Sequence, residues 1–112
     1  MKLIDAVQAI IEDIPSGQVW SYTDIAEKLG FRAARHAKDV RTAVVALVND
    51  QQRRCPWWRV VANNGQPIPG AAMVQQAMLQ GEGVHFNADG TVNVQAFGRH
   101  VRDVPQIEDT AS

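Results

Sequence analysis

The sequence predicts a mainly α domain with a small β element. Three observations predict it. Apolar residues recur at three- and four-residue spacing in four separate stretches, which is the period of helices that bury one side. The apolar runs between turn-forming residues, such as Gln18-Val19-Trp20 and Val60-Val61, are long enough only for very short strands. A chain of 112 residues, 46% of them apolar, supports one core and leaves little room for a second.

Leu3, Ala6, Val7, Ile10, Ile11 and Ile14 give the first helix its apolar face, and Pro15-Ser16-Gly17 ends it. Gln18-Val19-Trp20 reads as short and extended. Ser21 is placed as an N-cap, with Asp24 three residues on to close a capping box. Tyr22, Ile25, Ala26 and Leu29 form the buried side of that helix, and Gly30 ends it. Phe31 to His36 reads as an arginine-rich connection. A further helix is predicted from about Ala37 to Val48, with Val40, Ala43, Val44, Leu47 and Val48 as its stripe.

Asn49 to Arg54 reads as a loop, and Pro56 opens a rigid segment that becomes extended through Trp58, Val60 and Val61. Asn63-Asn64-Gly65 is a turn signal. A helix is predicted from Ala71 to Leu79, with Ala72, Val74, Met78 and Leu79 as its apolar contacts. Val84, Phe86, Val92 and Val94 flank Asn87-Ala88-Asp89-Gly90 as a small hairpin, or wing. Residues 1–98 therefore form a winged helix-turn-helix-like domain, and residues 99–112, which lack periodicity, read as a flexible C-terminal tail.

The formal net charge is −1, yet its distribution is uneven. Lys28, Arg32, Arg35, Lys38, Arg41, Arg53, Arg54 and Arg59 face only Asp39 and Asp50 within one stretch. Such a concentration suits a phosphate binder, and equally a solvated surface without a partner. The single cysteine, Cys55, excludes an internal disulfide, and no run has metal-ligand spacing. With no leader-like start and no stretch of the ~18 apolar residues that a membrane span needs, the expectation is a soluble, cytoplasmic monomer without a cofactor.

Tyr22, Arg41, Trp57, Trp58 and Arg59 are the candidate functional residues. Aromatic faces stack on nucleobases, worth about 1–3 kcal/mol per base, and arginine neutralises phosphate. Each also has a structural reading. The two tryptophans fit a core equally well, Arg59 fits a local anchor, and Tyr22 fits helix packing. Asn49 is either a helix-ending residue or a loop brace. Cys55 lacks a neighbouring histidine among His36, His85 and His100 by spacing, and reads as a small buried hydrophobe.

Several markers recur together: Ile14-Pro15-Ser16-Gly17-Gln18-Val19, Ser21 to Ala26, Arg41 to Leu47 with Asn49, Pro56-Trp57-Trp58-Arg59-Val60-Val61, Asn64-Gly65, and Leu79 through Gly81-Glu82-Gly83-Val84. With these, the chain resembles the DNA-binding domain of the O6-alkylguanine-DNA alkyltransferases, and most nearly the alkyltransferase-like proteins of that superfamily. In the transferases an alkyl-accepting cysteine and a histidine follow the motif proline. Here Trp57 and Trp58 stand there, and Cys55 does not match the acceptor. The resemblance implies a non-enzymatic sensor that enters the minor groove of double-stranded DNA containing O6-alkylguanine. It would flip the damaged base and mark it for nucleotide excision repair proteins.

By the same resemblance, Arg41 is the intercalating finger, with Arg35 as the alternative because the connection between the two helices is about five residues longer than usual. Tyr22 crowds the phosphate beside the lesion, and Lys38 belongs to the same basic surface. Trp57 lines the lesion pocket with Trp58, while Asn49 braces the segment around Pro56 and Arg59 fixes that loop. Val44 replaces a small glycine, which is expected to alter packing against DNA. Three rival readings remain open: a general or sequence-specific DNA-binding regulator without lesion preference, a degenerate protein-interaction module, and an enzyme that uses Cys55 as alkyl acceptor.

Overall fold

A computed structural model of the chain describes residues 2–30, 33–50 and 52–98. The predicted tail, 99–112, lies outside the described residues. Helix α1 (Leu3–Glu12) packs Val7 and Ile11 inward, and its C-terminal turn leads to the buried Ile14. After the turn at Pro15–Gly17 come strand β1 (Trp20–Ser21), helix α2 (Tyr22–Lys28) and the long helix α3 (Ala33–Asn49). A single 3-10 turn at Trp57–Arg59 leads into strand β2 (Val60–Val61), followed by α4 (Ala72–Gly81) and the one-turn α5 (Val94–Phe97).

Helices α1, α2 and α3 close on one another around Val7, Ile11, Ile25, Ala26, Val40, Val44 and Leu47. Burial of each large aliphatic side chain contributes about 1.5–3 kcal/mol. This three-helix unit, in which α3 follows α2 in the chain, is the helix-turn-helix expected from the apolar spacing. The fold is mainly α with a small β element, as predicted. A second, smaller cluster joins Val19, Val61, Leu79, Val84 and Val92, so α4 and the last segment pack on the far side of the two-stranded sheet.

That sheet is parallel, with Trp20 beside Val60 and Ser21 beside Val61. The register has a direct consequence for the site. Ser21 is both the last residue of β1 and the N-cap of α2, where its hydroxyl accepts from the Asp24 N–H at 3.0 Å and its own N–H donates to the Asp24 carboxylate at 2.9 Å. The capping box thus fixes the start of α2. Tyr22 is thereby held next to Ala62, where the chain leaves β2.

Four expectations are corrected. The connection predicted at Phe31 to His36 is shorter, because α3 begins at Ala33. Ala33, Ala34 and Arg35 are strong helix formers and extend the helix by one turn. Trp58 is in a 3-10 turn rather than an extended piece. Of the apolar contacts predicted on α4, Leu79 is buried, but Ala72, Val74 and Met78 are exposed and Gln75 faces inward in their place. The wing is reduced to one bridge between Phe86 and Val92. The Val92 N–H donates to Gly65 O at 2.9 Å outside the hairpin, and Val94, expected to extend the strand, starts α5 instead.

Candidate nucleic-acid interface

The side chains on α3 and the loop after β2 face each other across an open cleft of about 630 Å³. Tyr22, Ala37, Lys38 and Arg41 line one side, and Ala62, Asn63, Asn64, Gln66, Pro67 and Pro69 line the other. Ala37 and Lys38 lie four and three residues before Arg41, so the three share a helix face. Three of the four residues expected to meet DNA, Tyr22, Lys38 and Arg41, are therefore brought together. The fourth, Arg35, is on α3 three residues before Lys38, and its side chain lies outside the described part of the structure.

Tyr22 is only 7% exposed, and its hydroxyl is buried without a hydrogen-bond partner among the described residues. A buried hydroxyl in that condition is unfavourable by about 1–3 kcal/mol. Burial pushes the phenol above its ordinary pKa, and the neighbouring charge of Arg41 works against that shift. Tyr22 is thus a neutral donor near a guanidinium. Arg41 and Lys38 are exposed.

The basic stretch does not form one surface. Arg53 pairs with Asp5 at 2.6 Å and with Asp50 at 3.3 Å. Arg59 is turned inward, where its guanidinium donates to Glu82 at 2.8–3.2 Å and to the Ile14 carbonyl at 2.8 Å. The Lys28 ammonium sits over the Trp20 ring, 5.8 Å from its centroid. Of the described basic side chains in this stretch, Lys38 and Arg41 border the cleft, and Arg54 is exposed away from it.

The residues expected to form a lesion pocket are placed differently. None of Trp57, Trp58, Asn49 and Arg59 lines this cleft. Trp57 and Trp58 are half-buried and meet edge to face, with ring centroids 5.9 Å apart. Trp57 packs on the three-helix core and Trp58 on the smaller cluster, so adjacent indoles tie the two clusters together. The Trp58 indole N–H donates to Glu82 at 2.9 Å. Arg59 ties this turn to Glu82 and to the Ile14 carbonyl. Asn49 is exposed, and its amide donates to the Val45 carbonyl of its own helix at 3.1 Å instead of reaching the Pro56 segment. Val44 is fully buried between the helices, so the extra bulk at this position is in the core and not on the outer face.

Two residues missed by the sequence reasoning organise this region. Glu82 accepts from Trp58, from Arg59 and from the Gly17 N–H at 3.1 Å, which joins the end of α4 to the turn after α1. Burial alone would raise its pKa, but the bonds from Arg59, Trp58 and Gly17, together with the Arg59 charge, hold it below the ordinary carboxylate value. Its only sequence signal was its place in the Gly81-Glu82-Gly83 marker. Gln75 is fully buried and bonds three backbone groups. Its position four residues before Leu79 was the available sign of an inward-facing side chain.

Cys55 is 8% exposed and belongs to the core. Burial, with the nearby negative charge of Glu12, pushes its thiol above the ordinary range. Thiolate, not thiol, is the nucleophilic form, so the environment works against reactivity. Among the described residues no group of three or more histidines, cysteines or carboxylates is placed to hold a metal ion.

Residues 2–84 match the family described as 6-O-methylguanine DNA methyltransferase, DNA binding domain. Among solved structures, the chain is similar to S. pombe Atl1 in complex with damaged DNA containing O6-carboxymethylguanine. The TM-score is 0.71 at 25% identity, over 88% of this chain and 97% of that one. A second structure, S. pombe ATL in complex with DNA, has a TM-score of 0.69 at 24% identity with the same coverage of both chains. No curated protein sequence matches the chain.

Proposed function

Since the chain belongs to the family of the 6-O-methylguanine DNA methyltransferase DNA-binding domain, we propose that it recognises O6-alkylguanine in duplex DNA and leaves the alkyl group in place. The observation that carries this reading is the meeting of Tyr22, Lys38 and Arg41 at one cleft, on the helix-turn-helix that S. pombe Atl1 also displays in a complex with damaged DNA.

In this mechanism α3 lies in the minor groove. Lys38 neutralises a phosphate and releases its counterion. Arg41 enters the stack and occupies the space of the departing nucleotide. Tyr22, at the edge of the cleft, crowds the phosphate beside the lesion and helps to rotate the nucleotide out. Flipping costs a few kcal/mol of unstacking and is easiest where pairing is already damaged. The Trp57 indole stands where the transferases carry their acceptor sulfur. It offers the rotated base an apolar, aromatic wall and no nucleophile. The bound protein then marks the site for nucleotide excision repair.

The test is equilibrium binding to duplexes with and without one O6-methylguanine, at two salt concentrations, together with the intact mass of the protein afterwards. A preference for the lesion is expected, with no alkyl mass gained. Lys38→Ala should weaken both duplexes equally and lower the salt slope by about 1. Arg41→Ala and Trp57→Ala should reduce the preference itself. Equal affinity for both duplexes would instead support a DNA-binding regulator. Alkyl transfer to Cys55 would show an enzyme.

A further inference from the structure

Gln75 is the one fully buried polar side chain on α4, a helix whose sequence, AMVQQAMLQG, contains no charge. Its carbonyl oxygen accepts from the Ile68 N–H at 2.7 Å. Its amide nitrogen donates to the Val60 carbonyl at 2.6 Å and to the Trp58 carbonyl at 3.0 Å. Both donors and one acceptor site of the amide are thus in use.

The chemistry of the bonded partners makes this contact specific. Ile68 stands between Pro67 and Pro69, both of which line the cleft. Proline has no N–H, so the Ile68 N–H is the only backbone donor in this three-residue wall. Gln75 takes that donor. With its other end Gln75 holds the carbonyl of Trp58, inside the Trp57–Arg59 turn. One side chain therefore links the two places that the proposed function needs to act together: the cleft wall and the aromatic turn outside it. Tyr22, Lys38 and Arg41 are on α2 and α3 and have no bond to Gln75 among the described contacts.

We propose that Gln75 is a positioning residue that sets the distance between the Pro67–Pro69 wall and the Trp57–Arg59 turn, and so determines discrimination between damaged and normal DNA. This rests on the lesion-recognition reading above. Loss of the link lets the wall move relative to the turn while the phosphate contacts stay in place. Discrimination falls, and affinity for unmodified DNA does not.

The experiment measures Kd of the full chain for duplexes with and without O6-methylguanine, for wild type, Gln75→Leu and Gln75→Glu. Gln75→Leu removes all three bonds. Gln75→Glu is nearly isosteric, keeps the acceptor for Ile68 and, neutral in this buried site, has one O–H for only one of the two carbonyls; it carries the same comparison if Gln75→Leu does not fold. The ratio of the two Kd values is expected to fall at least about tenfold in Gln75→Leu and less in Gln75→Glu, with affinity for the unmodified duplex within about twofold of wild type. A brace that serves stability alone would lower the unfolding temperature and leave the ratio unchanged, which would overturn the proposal. Parallel loss of affinity for both duplexes would overturn it as well. A wild-type ratio of one would refute the lesion-recognition reading itself, and the role of Gln75 with it.

Discussion

Glu82→Gln tests how the two halves of the domain are held together. The Arg59 and Glu82 side chains are 16% and 14% exposed. Removing one member of a buried ion pair costs about 3–5 kcal/mol, because the other charge is left without a counterion. Here both groups retain some contact with water, and a glutamine at position 82 still offers an oxygen to Trp58 or Gly17. An expected loss of about 2–3 kcal/mol at neutral pH follows. In a domain of this size each kcal/mol moves the unfolding temperature by about 4–8 °C, so a drop of about 8–24 °C is predicted. Thermal and urea unfolding, followed by tryptophan fluorescence, provide the assay. The pH dependence adds a second criterion. Glu82 has a depressed pKa in the folded protein, so its contribution is full above the unfolded carboxylate value and disappears as pH falls through the folded one. Wild type and variant should therefore converge in acid. A loss below about 0.5 kcal/mol at neutral pH, the scale of an exposed pair, would refute the reasoning, as would a difference that persists unchanged in acid.

Three further outcomes are expected. Ser21→Ala removes the side-chain half of the capping box at the start of α2 and should cost about 1 kcal/mol in urea unfolding, with weaker DNA binding because Tyr22 is the next residue. Gly65 has φ +86, and a Cβ there would overlap the carbonyl oxygen of Val92; Gly65→Ala should destabilise the chain by about 3 kcal/mol, read from its thermal midpoint. Cys55→Ser, at a buried core position, should leave the preference for damaged DNA intact in a binding titration while lowering stability by about 1–2 kcal/mol.

Local chemistry explains which parts of the fold were legible in the sequence. The capping box at Ser21 and Asp24, the turn at Asn63-Asn64-Gly65 and the apolar faces of α1 and α3 depend on residues close in sequence, and they form where expected. Tyr22, Lys38 and Arg41 were singled out individually, but their shared cleft depends on the parallel register of Ser21 with Val61, made by residues forty positions apart. The charge pattern overstated the basic surface, since Arg53 and Arg59 turn to carboxylates far along the chain. The α4 stripe misled for a related reason. A glutamine buried at position 75 is favourable only because three backbone groups from other segments meet it, and no local pattern announces them. The tryptophan pair fell between its two readings, since each indole packs on a different cluster.

The central claim is recognition of a damaged base without chemistry upon it. Its most direct measurement is the ratio of dissociation constants for two duplexes that differ only by one O6-methyl group on guanine. A ratio of at least about ten in favour of the methylated duplex is predicted, equivalent to about 1.4 kcal/mol of discrimination, with the methyl group recovered on the DNA. Equal constants, or a methyl group found on the protein, would contradict the account.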